Sequence, residues 1–139
     1  MIIMSIDLGR IMGITINVNG EFEHEEEYKF ISYSNFESKL KDIISLWKPH
    51  LILIPYPTRF YRVILAHAKL MGIVCLLGDK NNITVIEVQD ATCKKVVLGD
   101  GKAKKEDIKN HFNTDLSEHI LDSMMFTLWF IKEQKRLGK

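Results

Sequence analysis

Residues 1–30, MIIMSIDLGRIMGITINVNGEFEHEEEYKF, decide the fold. Ile2, Ile3, Met4 and Ile6 make the run from Met1 to Leu8 almost continuously apolar, the pattern of a central strand covered on both faces. Gly9 permits a tight turn, and Gly13–Val18 reads as a second strand closed by Asn19-Gly20, a strong two-residue hairpin signal. In a third strand Phe22, Tyr28 and Phe30 alternate with Glu21, Glu23, Glu25, Glu27 and Lys29, so one face is acidic and solvated while the other packs inward. Three antiparallel strands therefore open the chain.

Outward from this meander, strands and helices alternate. Ser34 and Glu37 have capping-box spacing, and Phe36, Leu40, Ile43, Ile44 and Trp47 follow at helical intervals, which predicts a helix over Asn35–Trp47 stopped by Pro49. Leu51–Ile54 is a short apolar strand, and a helical stretch runs from Thr58 to Leu77 with Gly72 as a weak point. Asn81-Asn82 turns the chain into a fifth strand, Ile83–Val88, and Asp90 is placed to cap a short helix ending at Gly99. A loop over Gly99–Ala103 leads to a short helix, Lys104–Phe112, and to a long terminal helix from Leu116 to about Arg136. The order βββαβαβααα predicts one α/β domain over residues 1–139, a five-stranded mixed sheet with helices on both faces, because parallel strands need helical crossovers.

Composition excludes several classes. With 46% hydrophobic and 27% charged residues, three Pro and eight Gly, the chain is neither a disordered tail nor a fibrous repeat. The formal charge of +1 neither demands nor excludes nucleic acid, so the distribution of basic residues decides. Cys75 and Cys93 lack CxxC spacing, which points away from a disulfide scaffold or zinc knuckle and toward a reducing cytoplasm. The opening apolar run is too short for a signal peptide and is broken by Asp7, and no membrane span is expected elsewhere.

Asp7 ends a strand that reads as buried, where an unpaired carboxylate is unfavourable unless a cation, a donor or water satisfies it. Capping of the Gly9 turn is one use for it, and metal ligation is the other. His119 and Asp122 lie three apart on the terminal helix and share a face, with Asp115 one turn before His119 and Glu118 one turn before Asp122. Docked on the sheet, that face brings His119 and Asp122 toward Asp7, and carboxylates from two elements suit Mg²⁺ or Mn²⁺. Asp115 and Glu118 are also explained by the helix dipole.

Lys94, Lys95, Lys102, Lys104, Lys105 and Lys109 outnumber Asp100, Glu106 and Asp107 by three, a candidate phosphate patch helped by Gly99, Gly101 and the helix start at Lys104. The same lysines also fit a plain solvated face. Arg59, Phe60, Tyr61 and Arg62 form a second basic and aromatic cluster suited to DNA backbone contact and base stacking.

Taken in order, these pieces resemble the RuvC family of Holliday junction resolvases, of the ribonuclease H-like superfamily, across nearly the whole chain. Ile6-Asp7-Leu8-Gly9 is similar to the family's I-D-x-G opening, and Lys94 to Lys105 is similar to its K-x-x-V-x-G-x-G-x-A-x-K segment. Ala66–Val74, with Lys69 and Gly72, is similar to the helix after strand four, and His119-Ile120-Leu121-Asp122 to the terminal D/H-x-x-D motif. The resemblance implies a ribonuclease H-like fold and a metal-dependent endonuclease acting on branched DNA in recombination and repair. It further implies a two-cation Mg²⁺ or Mn²⁺ site ligated by Asp7, His119 and Asp122, with Lys94 and Lys105 at the scissile phosphate. A homodimer is expected, because a junction needs two symmetric nicks. The family's strand-four Glu falls here on Pro55, which cannot bind a metal; Glu87 or Glu118 could substitute if turned inward, although Glu87 fits better a position facing solvent or a helix.

Two other readings follow from the same residues. Pro55 favours a relative that binds branched DNA, or a recombination partner, without cutting. A strand, Asp-x-Gly and hairpin also open actin-like ATPases, but those enzymes need two related domains.

Overall fold

The computed structural model describes residues 1–57, 61–112 and 114–138, with the backbone alone at 61–63 and 105. β1 (Ile2–Ile6), β2 (Ile11–Val18) and β3 (Glu21–Lys29) form the expected antiparallel meander. Asn19 and Gly20, at φ 52° and 96°, make the two-residue turn between β2 and β3, a conformation whose twist matches that of the flanking strands. Then come α1 (Tyr33–Trp47), β4 (Leu51–Pro55), α2 (Tyr61–Lys80), β5 (Thr84–Val88), α3 (Asp90–Leu98), α4 (Lys105–Phe112) and α5 (Glu118–Arg136). The sheet runs β3-β2-β1-β4-β5, with β1, β4 and β5 parallel. β1 thus sits where the antiparallel half meets the parallel half.

Strand alternation assigns each residue to one of two layers. Met4, Ile6, Ile14, Ile16, Ile52 and Ile54 face α1 and α2, packing on Phe36, Leu40, Val74 and Leu77. The opposite face carries Ile3, Leu51, Leu53 and Val88 against Cys93 and Phe126 of α3 and α5. On β3 the odd glutamates are exposed and Tyr28 is buried, as the sequence pattern requires.

α5 is held to the sheet by hydroxyls as well as by apolar contact. Ser5 Oγ and Thr127 Oγ1 are 2.6 Å apart, and Ser123 Oγ donates to the Ile120 carbonyl at 2.8 Å and to Thr15 Oγ1 at 3.2 Å. All four side chains are buried, and their small volume lets the helix lie close across β1 and β2 while satisfying its polar atoms.

Element ends depart from expectation where capping decides them. α1 starts at Tyr33, because Ser32 Oγ accepts the Asn35 N–H at 3.1 Å; Ser34 lies inside the helix and caps nothing. Lys48, left-handed at φ 49°, ends it before Pro49. Asp90 is the first residue of α3 rather than its cap; Gln89 holds the cap position without a side-chain bond. α2 continues past Leu77 to Lys80, with Gly78 flat against β5, where a Cβ would come within 2.6 Å of Val85. Ser117 Oγ accepts the Ile120 N–H at 3.3 Å and sets the start of α5, leaving Leu116 outside. Among the described residues no helix is long and apolar enough to cross a membrane.

Candidate active site

Asp7 lies one residue beyond β1, and its backbone N–H donates to the Gly13 carbonyl at 2.9 Å, closing the β1–β2 turn. Among the described residues its side chain has no hydrogen bond to the Gly9 turn. By strand parity with Ile3 and Ser5 it points to the α5 layer, where Oδ2 meets His119 Nδ1 at 3.4 Å, a long contact whose donor depends on the imidazole tautomer. His119 reaches this point because β2 has Gly13 beneath the first turn of α5. A Cβ there would overlap the carbonyl of His119 and the backbone nitrogen of Ile120.

Asp7, Lys94, Lys104, Glu118, His119 and Asp122 line one cleft of about 380 Å³, floored by Ala103 and Ile108. Asp122 follows His119 by three residues on α5 and Glu118 precedes it, with Glu118 Oε1 3.7 Å from His119 Nε2. Lys94 enters from α3, only 19% exposed, its Nζ 2.7 Å from Asp90 Oδ2. The three elements therefore converge at the carboxyl end of β1, where open α/β sheets commonly bind ligands.

The electrostatics of the cleft are those of an anion-rich site. Burial holds the Asp7 carboxyl well above its ordinary range, and the charges of Asp122, Asp90 and Glu118 add to this while Lys94 opposes it. Burial pulls the Lys94 ammonium down, but its hydrogen bond to Asp90 and the charges of Asp90, Asp122 and Asp7 outweigh that and raise it. A partly buried carboxylate disfavoured by its acidic neighbours is stabilised by a divalent cation, and hard oxygen donors with one imidazole suit Mg²⁺ or Mn²⁺. Among the described residues, no three His, Cys, Asp or Glu side chains converge closely enough to hold an ion as they stand.

The other sequence candidates divide. Lys104 lines the cleft, and its backbone N–H donates to Asp107 Oδ2 at 2.9 Å, starting α4. Lys95 and Lys102 are exposed and lie outside the cleft lining, and Lys109 opens onto a separate recess with Asp115. Gly101 serves packing, since a Cβ there would stand 3.1 Å from the Ala91 carbonyl. Arg59 and Phe60 lie outside the described residues, as do the side chains of Tyr61, Arg62 and Lys105.

Glu87 takes the solvent- and helix-facing position rather than that of a substitute ligand. It shares strand parity with Val85, which packs toward α2, and it is exposed, so it stands on the opposite face of the sheet from Asp7 and cannot substitute as a ligand. Its nearness to Cys75, whose thiol is raised by burial and then by Glu87, agrees with this placement. Glu118, the other candidate, lines the cleft. Asp90 is the residue sequence reading passed over as a cap; its i,i+4 spacing to Lys94 was the signal.

A mixed sheet of order β3-β2-β1-β4-β5, with the first carboxylate at the end of its central strand and helices on both faces, defines a ribonuclease H-like fold. Within that class the fold is that of RuvC and related junction resolvases. RuvC of Thermus thermophilus matches with a TM-score of 0.79 at 17% identity, covering 99% of this chain and 97% of that one. The fowlpox virus resolvase, solved with Holliday junction DNA, matches at 0.59 and 14% identity over 96% and 98% of the two chains. The yeast mitochondrial Holliday junction resolvase matches at 0.61 and 12% identity over 98% and 80%. No protein-family model matches the sequence, and no curated protein matches it. The likeness is one of fold.

Proposed function

We propose that this chain is a Mg²⁺- or Mn²⁺-dependent endonuclease that cuts four-way junctions or other branched DNA in recombination and repair. The observation that carries this reading is the meeting of Asp7, His119, Asp122 and Lys94 in one anion-rich cleft at the end of β1. Solved structures of like fold include junction resolvases, two of them bound to junction DNA.

Asp7, His119 and Asp122 would hold the metal, with Glu118 within reach of the same imidazole. A bound divalent ion supplies an activated water and charge for the leaving oxygen. His119 orients the Asp7 carboxylate through their contact. Lys94 and Lys104 face an incoming phosphate diester with positive charge, and Lys95 and Lys102 extend phosphate contact beyond the cleft lining; Lys105 at the scissile phosphate and Arg59–Arg62 along the DNA remain the sequence's own candidates.

The chain acts as one domain and as a homodimer in the cytoplasm, where both cysteines stay thiols. Leu65 and Leu76 of α2, 47% and 48% exposed with Lys69 exposed and Gly72 open between them, are where a second copy would pack. Two copies place two clefts for two symmetric nicks.

Cleavage of a synthetic four-way junction in Mg²⁺ or Mn²⁺ tests the reading, with Asp7→Asn as the control. Asp7-dependent paired nicks are expected. Pro55 favours a second reading, a protein that binds branched DNA or a recombination partner without cutting, and tight junction binding without Asp7-dependent nicking selects it.

A further inference from the structure

β1 and β4 pair in parallel with Ile3 opposite Leu51, Met4 opposite Ile52 and Ser5 opposite Leu53. Continued two residues past the paired stretch, the same register would bring Pro55 level with Asp7, and strand parity turns it to the face that carries Leu53 and Val88. Pro55 is buried, and its carbonyl accepts a hydrogen bond from His67 Nε2 at 2.7 Å, so the β4 side of Asp7 offers no anionic oxygen. Pro55 in turn pairs with Val88 at the end of β5, and two residues on the chain enters α3 at Asp90. There the 2.7 Å contact between Asp90 and Lys94 spans one helical turn, acid first and base second, the order that also suits the helix dipole. Lys94 reaches the cleft of Asp7 and Asp122 with four-fifths of its side chain covered.

We propose that Asp90 is a positioning residue that holds the Lys94 ammonium in the cleft, and that this ammonium supplies the positive charge a second cation would need a carboxylate at position 55 to bind. Each chain then works with one divalent ion. A metal ion stays only where enough ligands surround it, whereas an ammonium is tethered and needs only to be aimed. The inference rests on the nuclease reading for its catalytic consequence, but not for the geometry it assigns to Lys94.

Three measurements on the full chain test it. Free Mn²⁺ is counted by electron paramagnetic resonance during titration of the wild type bound to a four-way junction. One ion per chain is expected, and two per chain overturn the proposal. Lys94 acylation, followed by mass spectrometry against Lys95 as internal reference, should speed up in Asp90→Asn and return to the wild-type rate in Asp90→Glu. An unchanged rate in Asp90→Asn overturns the positioning role, whether or not the protein cuts DNA.

Single-turnover nicking should fall about tenfold or more in Asp90→Asn, the scale expected when a reacting charge is misplaced. Nicking should recover in Asp90→Glu. Lys94→Met should lose at least as much, and the double variant Asp90→Asn/Lys94→Met no more than Lys94→Met alone; losses that multiply would mean the two residues act separately. Asp90 is half exposed, so its replacement leaves the core intact. A wild type that binds one Mn²⁺ and shields Lys94 yet never nicks sinks the nuclease reading while leaving the Asp90–Lys94 assignment standing.

Discussion

The backbone of His119 lies directly against the α-carbon of Gly13, with no space for a side chain between β2 and the first turn of α5. That contact sets how deeply α5 seats, and so how near His119 comes to Asp7. Gly13→Ala should therefore lift the helix start off the sheet, destabilising the fold by about 2 kcal/mol as overpacking does. Denaturant unfolding reads the loss, and Mn²⁺ affinity should fall with it. Wild-type stability in the alanine variant would mean that α5 is seated by its hydroxyl contacts alone.

Asp7→Asn should separate stability from activity. An acid whose folded-state pKa is raised binds its proton more tightly when folded, so stability declines as pH rises from the ordinary value near 3.8 through the folded one, and stays lower above it. Asparagine has no such titration. Without metal, the variant should melt a few degrees above the wild type at neutral pH, and the gap should close as pH falls toward about 4. Nicking should be lost. A constant gap across that range would place the cost elsewhere than the Asp7 charge.

Pro55→Glu restores a carboxylate on the face and level of Asp7. Without metal the added buried charge should lower the melting temperature, because it joins an already acidic cleft. Adding Mn²⁺ should then raise the melting temperature by more than it does for wild type, since an ion that binds only the folded state stabilises it. Equal metal-induced shifts in the two proteins would show that position 55 does not reach the ion.

Lys104 is exposed yet lines the cleft, the position of a phosphate contact. In Lys104→Ala the slope of log affinity against log salt for junction DNA should drop by about 0.9, one phosphate's worth of released counterions. An unchanged slope would put Lys104 outside the DNA path.

The opening thirty residues made the fold legible because strand alternation and the Asn19-Gly20 turn are local signals. The interrupted apolar run that singled out Asp7 was equally local. The pairing of His119 and Asp122 was readable because residues three apart on a helix share a face. Ser5, Thr15, Ser123 and Thr127 carried no such signal: each is an ordinary small polar residue until α5 lies across β1 and β2. Glu87 looked available because sequence alone does not say which layer of a two-sided strand holds the site. Asp90 looked like a cap because its spacing to Lys94 gains meaning only when Lys94 is seen in the cleft.

Asp7, and the vacancy of ligand chemistry at Pro55, were determined by the sequence, since a residue type and its place on a strand are one-dimensional facts. Only the tertiary structure decided which side chains answer that vacancy. Glu87 falls on the far face by strand parity, whereas Asp90 and Lys94 come beside Asp7 because β5 lies next to β4 and delivers α3 to the same edge of the sheet. Strand order brings together residues more than eighty positions apart, and no local pattern encodes that distance.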